Sequence, residues 1–290
     1  MQTVYLNGDF LPADKAALSP FDRGFLFAHA AYEVTAVYNH QLIDFKSHTT
    51  RLLRTLDALR IPNPHSELEW LEIHRELMTR NQLQEGLIYL QVSAGAYGER
   101  DFAGPESFTP TIFLFVTNRP LIGETARTGI KAITLEDTRW ARRDLKTTQL
   151  LSQALAYRSA REQGCETAIM IEHGKVTEAA SASVFLVSAD GTLRTRELSN
   201  AVLPSITRER TLELLAENGL ELVEGAFEKS LLSQASEVFT TSAGALIAPV
   251  IEIDGAPVGS GAPGPITRKI QRLYYHHMGA DLGRFDWLSV

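Results

Sequence analysis

Apolar residues in this chain come only in short runs; the longest, such as 112–116, have the length of a strand and no more. Turn residues punctuate them, and runs of alternating or β-branched character are interleaved with stretches of helical spacing. A 290-residue chain written this way has to stack short strands against helices in layers, as one large domain or two medium ones. With 44% hydrophobic and 22% charged residues it has apolar material for a normal core, and collagen, coiled-coil and disordered readings fall away. No run approaches the roughly 18 apolar residues of a membrane helix, so no membrane partner is expected. The start, Met1-Gln2-Thr3-Val4-Tyr5, has neither a basic flank nor a long apolar region and predicts no signal peptide. Cys165 is the lone cysteine, which excludes an internal disulfide and a zinc cluster; the expectation is a cytoplasmic protein without a metal. A net charge of −7 argues against nucleic acid as a partner, but leaves room for a local basic pocket holding a small anion.

Asn7-Gly8 between residues 4–6 and 10–11 predicts a hairpin, because that pair suits two turn positions with φ > 0. Residues 32–38 (YEVTAVY) read as a strand. Residues 45–60 read as a helix with Leu52, Leu53, Leu56 and Leu59 at helical spacing. Ser66 followed by Glu69 predicts a capping box opening a second helix. Strands are expected at 87–93 and 111–117 around a Gly-rich segment, 95–110. Residues 119–123, with Pro120 and Gly123, form the natural boundary. Beyond it the pattern predicts strands at 130–135, 167–172, 176–178, 183–187, 237–241 and 246–253, and helices near 150–163, 205–218 and 266–277. The fold class is therefore α/β (α+β) in two lobes: an N-terminal domain 1–118, a linker 119–123 and a C-terminal domain 124–290.

Three places suit chemistry. Lys146, one of only seven lysines, follows Arg142 and Arg143; it is either a solvated lysine or a Schiff-base lysine whose amine is kept reactive by cationic neighbours or desolvation. Glu178 precedes the small residues 179–183, a plain turn or one that lets backbone N–H groups approach an anion. Ser205 is an N-cap, after which the N–H groups of Ile206 and Thr207 either stay solvated or bind a phosphate. No G-x-G-x-x-G, Walker, H-E-x-x-H or G-x-S-x-G pattern occurs, which removes the usual support for nucleotide, zinc-protease and hydrolase functions.

Taken together, these segments resemble the class IV, or fold type IV, pyridoxal-phosphate aminotransferases, and among them bacterial D-amino-acid transaminases above all. The likeness runs through DRG (22–24), YEVTAVYN (32–39), the helix with Arg51, EDTRW (136–140), DLK (144–146) and EQGCETAI (162–169). It continues in VTEAASASVF (176–185), LPSITRER (203–210) and FTTSAGALIAPVIEIDG (239–255). The resemblance implies a two-domain D-amino-acid aminotransferase-like fold, with most of the cofactor site in the C-terminal domain. It implies pyridoxal 5′-phosphate held by Lys146 as a Schiff base, with Glu178 pairing the pyridine nitrogen. Arg51, Ile206, Thr207, Ser242 and Ala243 would bind the phosphate, Leu203 would pack on the ring, and Tyr32 would stand beside substrate and lysine. The implied partners are a small amino donor and a 2-keto acid in a ping-pong exchange, in a homodimer.

The substrate half departs from the D-amino-acid pattern. Arg100 matches the expected arginine only with a local gap, and Phe102 replaces the usual histidine. His29 stands where relatives carry an acid, and Tyr97 lies in the same Gly-rich segment. Either Arg100 pairs the substrate carboxylate, with His29, Tyr32 and Tyr97 as further candidates, or the enzyme prefers (R)-amines that lack one. A branched-chain aminotransferase or an aminodeoxychorismate lyase on the same scaffold is the alternative.

Overall fold

The computed structural model describes residues 2–288. They form two compact units: one runs from the N-terminus to Pro120 and includes Leu145–Gln149, the other joins Leu121–Asp144 to everything from Leu150 onward. Residues 145–149 lie with the first unit. Their backbone explains why: Thr147 forms a bridge with Ala31, the Tyr32 N–H donates to the Lys146 carbonyl at 3.0 Å, and the Thr148 N–H donates to Ala30 at 3.1 Å. The lysine thus sits on an extended segment aligned with a first-unit strand.

The first unit contains β1 (Thr3–Leu6), β2 (Asp9–Pro12), α1 (Arg23–Phe27), β3 (Ala30–Tyr38), β4 (Gln41–Leu42), α2 (Phe45–Ala58), α3 (Glu67–Arg80), β5 (Gly86–Ser93) and β6 (Thr111–Asn118). The strands form one sheet in the order β2-β1-β6-β5-β3-β4. Asn7 and Gly8 take φ 50° and 105°, as the hairpin requires, and pair Leu6 with Asp9 across the turn. Ser66 and Glu69 form the capping box of α3. Leu52 and Leu56 of α2 pack with Trp70 and Leu77 of α3 and with Ile88 and Leu90 of β5. Each such buried side chain contributes roughly 1.5–3 kcal/mol. Helix α1 was not legible, since five residues show no periodicity; the Asp22 carboxylate nucleates it by accepting from the Gly24 N–H at 2.8 Å.

His74 in α3 is fully buried and donates Nδ1–H to the Trp70 carbonyl at 2.7 Å. Burial holds its ring down at about 4. Below the ordinary imidazole range the unfolded chain binds a proton that the folded chain refuses, so stability is lost as pH falls from about 6.5 to about 4. The expected loss from this group is about 3 kcal/mol. Urea midpoints of wild type and His74→Gln at both ends of that window check it: the variant should lose less, and parallel losses would contradict it.

The second unit contains α4 (Glu124–Thr128), β7 (Ile130–Glu136), α5 (Leu151–Glu162), β8 (Thr167–Glu172), β9 (Lys175–Ala179), β10 (Ser183–Val187), β11 (Leu193–Thr195), α6 (Ile206–Glu217), β12 (Leu222–Glu224), β13 (Glu237–Ser242), β14 (Leu246–Ile253), β15 (Ala256–Pro257) and α7 (Pro265–His277). Its sheet runs β12-β11-β10-β13-β14-β7-β8-β9, with β15 added on β14. Pairs β14–β7, β7–β8 and β11–β12 are parallel. The long strands are buried on both faces, which is why β8 and β10 read as continuous apolar runs rather than alternating ones. No helix among the described residues is long and apolar enough to cross a membrane.

Candidate active site

In the first unit the Lys146 amine lies 4.2 Å from the centroid of the Tyr32 ring. The Lys146 backbone is pinned twice, by β3 as above and by its N–H, which reaches the Thr55 hydroxyl of α2 at 3.5 Å. Thr55 in turn donates to the Arg51 carbonyl at 3.0 Å, so the lysine is tied to the helical turn that carries Arg51. Tyr32 stacks on Tyr89 of β5, with centroids 5.7 Å apart.

The buried face of β3 holds an acid that the sequence reading missed. Glu33 accepts from Arg51 Nε at 2.8 Å and Nη2 at 2.7 Å, and from His48 Nδ1 at 2.8 Å. All three side chains are buried. Burial alone would raise the Glu33 carboxyl, but Arg51, and then His48, outweigh it and hold it at about 2. Burial pushes His48 down, against the pull of Glu33. A signal existed: Glu33 falls on the same strand face as Ala31, Thr35 and Val37, while His48 and Arg51 are one turn apart on the inner face of α2. A polar residue on each apolar face predicts a partner.

The substrate candidates are mostly engaged in the first unit's own loops. His29 Nδ1 accepts from Arg23 Nε at 3.3 Å, and its Nε2 faces the Leu59 carbonyl at 2.9 Å. The Tyr97 hydroxyl donates to Ala94 at 3.1 Å and accepts from the Thr109 N–H at 2.9 Å, bracing the 95–110 loop. Gly95 closes the neck of that loop at φ 80°, where a Cβ would lie 2.0 Å from the Thr109 carbonyl oxygen. Arg23, also unforeseen, donates to the carbonyls of Asp101 and Phe102. Arg100 is exposed, its guanidinium 4.5 Å from the Phe102 ring centroid and 5.4 Å from that of Phe27. Asp101 instead accepts from the Ala103 and Gly104 N–H groups.

In the second unit Glu178 of β9 is buried; its Oε2 accepts from the Leu203 N–H at 3.2 Å and its Oε1 from Arg139 Nη1. Burial pushes the Glu178 carboxyl up, and Arg139 opposes that without reversing it. Arg139 is itself held by Asp137 through Nε at 3.0 Å and Nη2 at 2.7 Å, and Asp137 accepts from the Thr177 hydroxyl at 2.6 Å. This chain of charges fixes Glu178 as a rigid, dry acceptor. Arg142 and Arg143, read as cationic neighbours of the lysine, are spent on carboxylates instead: Arg142 on Asp144 at 2.9 Å, Arg143 on Glu172 and Asp137.

Ser205 caps α6, its side chain accepting the Arg208 N–H at 3.3 Å. Ile206 and Thr207 supply the first two N–H groups of the helix, which have no intrahelical acceptor. At the end of β13 the Ser242 hydroxyl accepts from the Ala245 N–H at 3.1 Å, leaving its own proton as a donor beside Ala243. Among the described residues no group of three or more His, Cys, Asp or Glu is disposed to hold a metal.

A family model described as amino-transferase class IV matches residues 30–253. The D-alanine aminotransferase of Bacillus licheniformis is 36% identical over 270 residues, covering 92% of this chain and 94% of that one. That of Staphylococcus aureus strain MSSA476 is 33% identical, covering 93% and 96%. Among solved structures, an Escherichia coli branched-chain amino acid aminotransferase superposes with a TM-score of 0.88 at 24% identity over 99% of this chain and 98% of that one. A T.th. branched-chain amino acid aminotransferase with pyridoxamine 5′-phosphate gives 0.87 at 24%, over 99% and 97%. A match over most of the chain, with relatives of more than 30% identity along nearly their full length, places this chain in the class IV aminotransferases, enzymes that work with pyridoxal 5′-phosphate.

Proposed function

We propose that this aminotransferase takes its amino group from a D-amino acid and passes it to a 2-keto acid. The observation that carries the reading is the run of D-alanine aminotransferases at 30–36% identity along nearly the whole chain. The branched-chain enzymes share the fold at 23–26% identity, below the 30–36% of the D-alanine aminotransferases.

The residues present fit the cofactor: an amine over an aromatic ring, a dry carboxylate, and a capped helix N-terminus able to take a phosphate. In this reading Lys146 Nζ would bind the cofactor covalently, and Glu178 would pair its pyridine nitrogen. As the family resemblance implies, Arg51, the N–H of Ile206, Thr207, Ser242 and Ala243 would be its phosphate ligands, and Leu203 its apolar ring neighbour. When bound, pyridoxal phosphate supplies the carbonyl that takes the amino group and an electron sink for the pair left at Cα. Lys146 Nζ would also serve as the general base that takes the Cα proton and gives it back. Tyr32 orients that amine from the ring face. Mixing the purified enzyme with D-alanine, L-alanine and the two enantiomers of 1-phenylethylamine, and following the cofactor spectrum, tests the reading. Conversion by the L-amino acid alone would overturn it.

Arg100 is proposed as the carboxylate partner. Gly95 and Gly98, at φ 80° and 79°, let the loop carry its guanidinium off the Phe102 ring. A charge-assisted bond contributes roughly 1.5–3 kcal/mol. Arg100→Ala is therefore expected to lower D-alanine turnover about tenfold or more and to leave (R)-1-phenylethylamine untouched. Equal losses, or none, would reject the role.

A homodimer belongs to the same proposal. Phe25 in the first unit is 78% exposed, and Leu151 and Leu155, one turn apart on α5, are 73% and 53% exposed. Apolar side chains left this open suit burial against a second copy. Light scattering at assay concentration checks it, and a fully active monomer would contradict it.

A further inference from the structure

We propose that Glu33, backed by His48, is a positioning residue that fixes the direction of the Arg51 guanidinium for the cofactor phosphate. This rests on the reading of Arg51 as a phosphate ligand. Three observations carry it. The first is the cost of the arrangement. Glu33 and Arg51 are 2% and 8% exposed within the first unit, on a strand face otherwise lined by Ala31, Thr35 and Val37. Buried ion pairs are commonly replaceable by apolar residues without loss of stability, so packing alone does not call for one here.

The second is direction. Glu33 grips Arg51 by its Nε–Nη2 edge, at 2.8 and 2.7 Å, which sets the plane of the guanidinium as well as its place. His48 Nδ1, 2.8 Å from Oε2, holds the carboxylate that holds the arginine. An arginine on a flexible stem is in this way given one orientation before any anion arrives, which spares the ordering cost at binding. The third is place. Glu33 follows Tyr32, whose ring carries the Lys146 amine, and the Thr55 hydroxyl joins the Arg51 carbonyl to the Lys146 N–H, which holds the two backbones in a fixed relation. A displaced Arg51 would thus misplace the phosphate relative to the lysine. Because the Glu33 charge itself repels an anion, its contribution is orientation and not attraction.

The test compares two ligands that differ only in the phosphate. Full-length enzyme cleared of cofactor is titrated with pyridoxal 5′-phosphate and with pyridoxal, for wild type, Glu33→Gln and Arg51→Gln, following absorbance of the lysine-bound form. Glu33→Gln is expected to weaken pyridoxal 5′-phosphate about tenfold or more, the scale of a charge-assisted bond, and to leave pyridoxal unchanged. Equal weakening of both ligands, as a general structural defect would give, overturns the proposal, and so does no weakening of either. Arg51→Gln separates the two levels. If it discriminates between the ligands and Glu33→Gln does not, positioning fails while the phosphate role stands. If Arg51→Gln does not discriminate, the phosphate role fails and the proposal with it. Should Glu33→Gln not fold, Glu33→Asp, which keeps the charge but draws the carboxylate back by one methylene, is read by the same comparison.

Discussion

Lys146→Ala is expected to eliminate both the lysine-bound cofactor absorbance and all transamination. The residue has two tasks in the proposed mechanism, covalent attachment and proton transfer at Cα. General base catalysis alone is worth about 10²–10⁴-fold, and loss of the covalent step adds to it. The fold should survive, because Lys146 is half-buried and its structural contribution is made by its backbone, through the bonds to Tyr32 and Thr55 that alanine keeps. Borohydride reduction followed by peptide mapping checks the attachment. A cofactor–lysine bond retained in the variant would place the attachment elsewhere.

Glu178→Gln should retain bound cofactor and lose turnover. The wild-type carboxylate is dry, rigidly held by Leu203 and Arg139, and raised in proton affinity by burial, properties that suit a group keeping a pyridine nitrogen protonated. An amide keeps the shape and removes the charge. It also leaves Arg139 with Asp137 as its remaining anion, so the local field turns more positive. The expected loss is about 10²–10³-fold in kcat, roughly 3–4 kcal/mol, the scale for removing one preorganised electrostatic partner. Circular dichroism and cofactor stoichiometry should stay at wild-type values while kcat falls. Wild-type turnover would give Glu178 another role.

Much of the fold is legible in the sequence. The β1–β2 hairpin, the α3 capping box, the Ser205 cap and the alternation of strands with helices are dictated by neighbours a few residues apart, and local stereochemistry decides them. The order of the motifs likewise points to the family, and with it to Lys146, Glu178 and Arg51 as site residues. The short elements α1 and β12 were out of reach, because their residues carry no periodicity and take their form from distant partners.

By itself the sequence determined the longer strands and helices and which side chains bear reactive groups, since both depend on local geometry and chemical type. Only the tertiary structure decided how those groups are partnered. It set Glu33 against Arg51 across 18 residues and Arg139 against Glu178 across 39, moved Lys146 into the first unit alongside β3, and spent Arg142 and Arg143 on carboxylates. Charge pairing and burial act through space, and spacing along the chain does not encode which acid a buried base will meet once each unit has folded.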